Sequence, residues 1–568
     1  MLYNKQGKTA DWSEVPGIVA CDIETTGLDY RTNDINIIQV GTDKDQWYIL
    51  ECSEEDIAEL AKRRLIFHNG KFDTVFIAYH HNVLFDIAGD TMVLLHALGY
   101  NGSLSLKNTA MSLLKVPDWN INLDTKTGIS AEMIEYALKD VEYTYRMYKE
   151  LIKDIDRKQM NVYKSELLAF NAFRYIEIHG SKVGDTVSVM KELNEERDAI
   201  QQYMDIDLSF SSSPKKVGKI LFTPEGLGIK PKVFTASGAP STAGEVLQDI
   251  RFDNDFIYNM HAYKGVMKLQ SFVKSWSNLS RNGRIHPNFN ILAATGRTTC
   301  KEPNLQQVPK NGHIRNLVTA DTGCKFIEAD YSQLELRVAA YVSGDRNMTE
   351  AYRQGKDLHT LTASFLFPGE SDEVIKSKRG FAKACNFGLI YGMSANSFAD
   401  FAKKYGAKIT KAEAKELRTK FFEGYPGLIA WHKRSENELT MKGYSETKTG
   451  RRRYLPDVYS HRRSEELRAK RQASNSEIQG LGSDIMLAAL VMMCMHEEFG
   501  KTFWIHGTIH DAVLVSALEE HAEHVALDIV KPIMEKPYIL GLLPDKENLT
   551  LKADVSIGSA WGKKELEF

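Results

Sequence analysis

The feature that most restricts this chain is an apolar strand that runs into two carboxylates. Gly17-Ile18-Val19-Ala20-Cys21 reads as a buried strand, and Asp22-Ile23-Glu24 ends it. Residues i and i+2 of a strand share a face, with Cα atoms roughly 7 Å apart, so both acids point into one place. Further on come His68-Asn69-Gly70-Lys71-Phe72-Asp73 and a predicted helix from Ala131 to Leu151 that carries Tyr136 and Asp140. Four apart, these last two are neighbours on one helical surface. Converging carboxylates are costly unless neutralised. A pair of Mg²⁺ or Mn²⁺ ions about 4 Å apart would neutralise them, activate a water and stabilise the leaving oxygen of a phosphodiester. Tyr136 would orient that water.

The 568 residues suggest three to four domains, at about 150 residues each. With 43% hydrophobic and 26% charged residues the composition is that of globular protein. The longest strongly apolar run, Ile485 to Met495, is about half of the ~20 residues that a membrane span needs. The N-terminus lacks the apolar core of a signal peptide, so a cytosolic protein with no membrane partner is expected. Six cysteines, at 21, 52, 300, 324, 385 and 494, form no C-x-x-C pair, which points to reduced and mostly buried thiols. The net charge of −3 hides an uneven distribution. Residues 1–60 carry 13 acidic against 4 basic side chains, and residues 441–480 carry 10 basic against 5 acidic, including Arg451-Arg452-Arg453. A basic stripe in a near-neutral chain is either a footprint for nucleic acid or a solvated charged face.

The first segment alternates strand-like and helix-like stretches and reads as an α/β domain ending near residue 155. Residues 190–280 read as mostly helical around a polar stretch from Ser209 to Gly244. Beyond 285, the strand-like pieces Lys325–Ala329 and Trp504–Val515 flank a helix-rich block from about 346 to 500. Asp330 follows the first piece, and Asp511 sits between two β-branched pieces that read as a hairpin. Between them, Arg379, Lys383, Phe387 and Tyr391 recur every four positions. On a helix they would form one stripe spanning ~18 Å. Two cations at one end suit a triphosphate, and two aromatics at the other suit a base and sugar. A rim-and-core amphipathic helix is the alternative reading.

The N-terminal blocks resemble the DEDD superfamily of 3′–5′ exonucleases, in its Tyr-containing subclass. That resemblance implies Asp22, Glu24, Asp73 and Asp140 as metal ligands, Tyr136 as the water-positioning group, and Thr25, Leu28 and Asn69 as contacts to the terminal nucleotide. The later blocks resemble a family A DNA polymerase. They are Ala294–Arg297, Pro303–Gln306, Asp330–Arg337, Asp357–His359, Arg379–Gly392, Gly450–Arg453, Gln479-Gly480 and His510-Asp511. Together the blocks cover essentially residues 15 to 565. The fold class implied is α/β multidomain: an RNase H-like exonuclease domain at 1–155, then a right-hand polymerase at 156–568. Within the hand, the thumb is expected at about 188–280, the fingers at about 340–465, and the palm in the remainder.

The resemblance carries over by motif. Asp330 and Asp511 would hold two Mg²⁺, with Mn²⁺ as a substitute. One ion would lower the pKa of the primer 3′-hydroxyl and the other would screen the triphosphate and pyrophosphate. Arg379, Lys383 and His359 would contact the incoming dNTP, with Lys383 counted among the catalytic residues and Gln333 among the nucleotide contacts. Phe387 would pack on the sugar, Tyr391 would sit beside the templating position, and Glu335 would occupy the space of a ribose 2′-hydroxyl. Phe387 in place of Tyr implies discrimination against nucleotides lacking a 3′-hydroxyl. Arg297, Asn304, Gln306, Arg471, Asn475, Gln479 and His510 would contact the primer–template, testing minor-groove acceptors. Arg451 and Arg452, with Arg453, would bind the DNA backbone.

Departures from the family pattern are Ala512, where a Glu is usual, and Gly380 and Leu487, where basic residues are frequent. The chain starts about fifteen residues before the exonuclease core, which leaves no room for a 5′-nuclease domain and suggests a monomeric phage or plasmid replicase. Two rivals stay open: a nuclease whose C-terminal half only clamps nucleic acid, and a single-subunit RNA polymerase. Glu335 and the proofreading domain speak against the second.

Overall fold

The N-terminal strands carry apolar residues on both faces, a pattern suited to a sheet covered on both sides. In the computed structural model, which describes all residues except 120–127, 205–206, 232, 236, 244–246, 248–253, 311 and 405–408, they build a six-stranded sheet. Its strands are β1 (Leu2–Asn4), β2 (Ile18–Thr25), β3 (Ile35–Gly41), β4 (Gln46–Ile49), β5 (Arg64–Phe67) and β6 (Ile87–Asp90), in the order β1-β4-β3-β2-β5-β6. β2 runs through Asp22 and Glu24, as the i, i+2 reading expected, and sets them opposite Gln39 and Ile37 of β3.

Helix α1 (Lys71–His81) starts where Gly70 presses on Phe67, whose side chain would lie 2.4 Å from a Cβ at that glycine. Asp90 fixes this start and the next. One oxygen accepts the Gly70 amide at 2.8 Å, and the other caps α2 (Thr91–Ala97) through the amides of Met92 and Val93. Helix α3 (Ala131–Asp154) lies on β2 and β3 and delivers Tyr136 and Asp140 to the acids of β2. Asp156 then caps α4 (Arg157–His179), a spine that packs against α1 and α2 on one side and the C-terminal half on the other. Helices α5 (Thr186–Gln202) and α6 (Asp255–Leu279) lie side by side, beside a small separate core that includes Leu208, Val217, Leu221, Ile257 and Met260. The polar stretch from Ser209 to Gly244 contains a helix, Pro214–Phe222, while positions 232, 236 and 244 lie outside the described residues.

A second, five-stranded sheet holds β7 (Cys324–Tyr331), β8 (Phe503–Ile509), β9 (Ala512–Leu518), β10 (Ala553–Gly558) and β11 (Leu566–Glu567), in the order β8-β9-β7-β10-β11 and antiparallel throughout. Between β7 and β8 the chain forms α7 (Leu334–Ser343), α8 (Leu358–Leu366), α9 (Arg379–Leu389), α10 (Lys411–Gly424), α11 (Pro426–Lys442) and α12 (Arg463–Cys494). Helix α12 is long and apolar enough to cross a membrane, but 78% of its most apolar window is buried inside the fold. Its apolarity belongs to the core. One continuous apolar cluster extends from Leu2 to Trp561 and joins the two sheets. All six cysteines are free; Cys21, Cys300 and Cys385 are buried, and the other three are half-buried.

Candidate active sites

At the first sheet, Asp22, Glu24 and Asp140 bring carboxylate oxygens within 4.8 Å of one another. Asp73 stands beside them, with its Oδ1 taken by the Ile23 amide at 3.0 Å. Three groups that no motif pointed to complete this centre. Gln39 Nε2 donates to Asp22 Oδ2 at 2.5 Å, and Trp119 Nε1 donates to Asp140 Oδ1 at 2.6 Å. The Lys107 ammonium lies 4.3 Å from the centre of the Tyr136 ring. Burial pushes Asp22 far above the carboxylate range, and the charges of Asp73, Asp140 and Glu24 add to that rise. Glu24 and Asp73 are driven up to about 8 and Asp140 to about 6, with burial again the main cause. Oxygen-only donors crowded at this cost fit a hard divalent cation. At the rim, Thr25 turns its hydroxyl to the Gly27 carbonyl at 2.8 Å, Leu28 is 86% exposed, and Asn69 adopts a left-handed φ of 68°.

The second constellation arises from strand pairing. Asp330 lies within β7, and Asp511 lies in the two-residue turn between β8 and β9, where His510 has φ 57°. The Tyr331 amide donates to the Asp511 carbonyl at 3.0 Å and ties the turn to β7. Both aspartates line one cavity of about 330 Å³, with Gln333, Glu335, Phe387 and His510. Asp511 is pushed up to about 6, by burial and then by Glu335. Burial, then Glu328, raises Asp330. Asp330 is paired with Ala512 of β9 on one side and with Asp554 of β10 on the other.

The helix stripe expected over 379–391 needs correction. Helix α9 ends at Leu389, because Gly392 (φ 75°) turns the chain back and its amide bonds to the Leu389 carbonyl at 2.9 Å. Arg379, Lys383 and Phe387 share the exposed face of α9. Tyr391 instead points inward and donates to Glu335 Oε2 at 2.5 Å, while Arg297 donates to Oε1. Arg379 holds Asp357 with two bonds, at 2.9 and 3.0 Å. His359 is buried against Asn386, and burial pushes it down to about 4, so it stays neutral near pH 7.

Arg297, Gln306, Gln479 and His510 gather beside Asp511 around a small cavity. Gln306 is braced by Thr298 at 2.7 Å, and Asn304 caps the turn over 305–307. Arg471 is exposed and lines a groove of about 630 Å³ with Tyr391, Arg418, Phe422 and His432. Asn475 is half-buried, and its Oδ1 has no partner.

The basic run is a second correction. Arg451 does not face solvent: its side chain is 5% exposed and is paired with Glu166 of α4 and Asp484 of α12. Arg452 is paired with Glu446 at 2.7 Å and with Asp156, and its guanidinium lies over the Tyr444 ring. These two arginines join the N-terminal body to the C-terminal half instead of offering charge to a DNA backbone. Arg453 donates to Ser476 at 3.0 Å.

Residues 185–563 match the family model of DNA polymerase family A, and residues 5–156 match that of a 3′–5′ exonuclease. DNA polymerase I of Aquifex aeolicus is 29% identical, over 91% of this chain and 90% of its own length. DNA polymerase I of Borreliella burgdorferi is 30% identical over 96% of this chain, and the thermostable DNA polymerase I of Thermus aquaticus is 34% identical over 62%. The chain spans 62% and 41% of the lengths of these two relatives. Among solved structures, the polymerase domain of Pol1 from M. smegmatis, in complex with DNA primer-template and dNTP, superposes with a TM-score of 0.82 at 25% identity, covering 96% of this chain and 95% of that one.

Proposed function

The chain belongs to DNA polymerase family A, and from that premise we propose that it extends a primer 3′ end along a DNA template with deoxynucleotides and trims mispaired 3′ ends at a second site. The observation that carries this reading is the presence of two carboxylate centres on two different sheets, the second of which shares its cavity with Phe387, whose exposed helix face also carries Arg379 and Lys383. In the hand so formed, the second sheet is the palm, α5 and α6 the thumb, and α8 to α11 the core of the fingers.

At the palm, Asp330 and Asp511 would hold Mg²⁺, which when bound would make the primer hydroxyl more acidic and screen the triphosphate. Arg379 leaves Asp357 to take the triphosphate, and Lys383, one turn on, neutralises the departing pyrophosphate. Phe387 packs on the sugar. Glu335, held from two sides, occupies the space that a 2′-hydroxyl needs. Arg297, Gln306, Gln479 and His510 orient the primer terminus, and Arg471 meets the template in its groove. At the first sheet, Asp22, Glu24, Asp73 and Asp140 would hold a second set of Mg²⁺ ions, Thr25, Leu28 and Asn69 grip the terminal nucleotide, and Tyr136 orients the attacking water.

The test separates the centres. In a primer-extension assay, Asp22→Ala should abolish 3′ degradation and spare synthesis, and Asp330→Ala should do the reverse. Loss of both activities from either folded variant would refute the two-centre reading. Intact synthesis in Asp330→Ala would refute the palm assignment. A lack of synthesis by the unaltered chain would favour the rival in which the C-terminal half only clamps nucleic acid.

A further inference from the structure

We propose that His96, a residue of the exonuclease-side body, is a positioning residue for nucleotide selection in the palm, acting through the turn that presents Arg297 to Glu335; this rests on the polymerase reading above. His96 belongs to α2, whereas the acids of the first centre come from β2, α1 and α3. Its ring reaches out of its own body on both edges. Nε2 meets the Ala293 carbonyl at 2.9 Å, and Nδ1 meets Glu166 Oε1 of the spine helix at 2.8 Å.

Both contacts end on the same short turn. The Ala293 carbonyl also accepts the Gly296 amide at 2.7 Å, which closes the turn Ala293–Gly296. Glu166 holds the Arg451 guanidinium, and that guanidinium is packed on Gly296, where a Cβ would lie 2.4 Å from its central carbon. Gly296 has φ 72°, so only a residue without a side chain suits both the turn and the contact. His96 therefore grips the turn directly at its carbonyl and indirectly from beneath, through Glu166 and Arg451. The next residue is Arg297, which donates to one oxygen of Glu335 while Tyr391 donates to the other. A carboxylate forked between two donors is placed only as well as those donors are. Tyr391 follows a helix, but Arg297 follows a four-residue turn, and His96 fastens the carbonyl of that turn to the N-terminal body.

The consequence is a selectivity determinant outside the palm. We would measure single-nucleotide incorporation of dNTP and rNTP by the full chain in an Asp22→Ala background. The 3′ exonuclease rate of the same His96 variants with Asp22 intact would serve as the control for folding. His96→Leu keeps bulk and removes both polar contacts; its dNTP-over-rNTP selectivity should fall about three- to tenfold, the range of one lost hydrogen bond, with the exonuclease rate unchanged. His96→Gln returns a donor to the Ala293 carbonyl and should stay within about twofold of the unaltered chain. In an Arg297→Ala background, His96→Leu should add nothing further. Unchanged selectivity in the Leu variant, an equal loss in the Gln variant, or additivity with Arg297→Ala would each overturn the proposal. Absence of synthesis by the Asp22→Ala parent would instead overturn the polymerase reading on which it rests.

Discussion

Replacing Arg451 by Met separates an interdomain lock from a phosphate contact. The guanidinium is buried between Glu166 and Asp484, and Thr449 also donates to Asp484. Removing one partner of a buried ion pair costs about 3–5 kcal/mol, because the remaining charge is left uncompensated in a poorly solvated site. Here two carboxylates are left with that problem, and Met cannot relieve it. The pH dependence follows from Glu166. Burial acts to raise it, but His96 and Arg451 override burial and hold it below its usual value of 4.5. In the unaltered chain this group adds stability above that value and loses it as pH falls through the lower folded value. Without Arg451 only His96 opposes burial, so the carboxyl moves up and the variant loses stability relative to the unaltered chain as pH rises. The deficit of Arg451→Met should therefore be larger at pH 8 than at pH 5. Urea unfolding at both values, followed by fluorescence, provides the measurement. A deficit below about 1 kcal/mol, the range of exposed pairs, would refute the lock. So would a salt slope of DNA binding reduced by about one, the mark of a lost phosphate contact.

Three further results are expected. Glu335→Ala should raise ribonucleotide incorporation relative to deoxynucleotide by roughly tenfold or more, as read by extension with single rNTPs; unchanged selectivity would remove Glu335 as the gate. Trp119→Phe frees one oxygen of Asp140 and should slow 3′ degradation by about tenfold or more, as losses of partners to metal ligands do, while extension rates stay the same; equal loss of both activities would argue against a local role. In chelator, Glu24 and Asp73, raised to about 8, and Asp140, raised to about 6, contribute stability that is lost as pH rises through those values. The melting temperature without metal should thus fall between pH 5 and pH 9, and the increase on adding Mg²⁺ should grow with pH. A metal-induced increase that is independent of pH would refute this account of the carboxylate centre.

Local pattern and motif order were enough to define the two-centre architecture of this protein. The strand at Ile18–Thr25 announces itself by the apolar run that leads into Asp22 and Glu24, and Tyr136 and Asp140 by helical spacing, because both signals are local in the sequence. Family membership was legible from short blocks kept in order along the chain. Three things were decided only by tertiary structure. Gln39 and Trp119 are neighbours of the first centre through strand register and a long-range approach, neither of which leaves a local signature. Tyr391 left the helix stripe because α9 ended at Leu389, two residues before it, and the fold turned its hydroxyl to Glu335. The meaning of Arg451 was reversed outright: a run of three arginines reads the same whether it meets phosphate or carboxylate, and only the fold brings Glu166 and Asp484, distant in sequence, to the same guanidinium. Charge in a sequence is local, whereas the partner that neutralises it is chosen by packing.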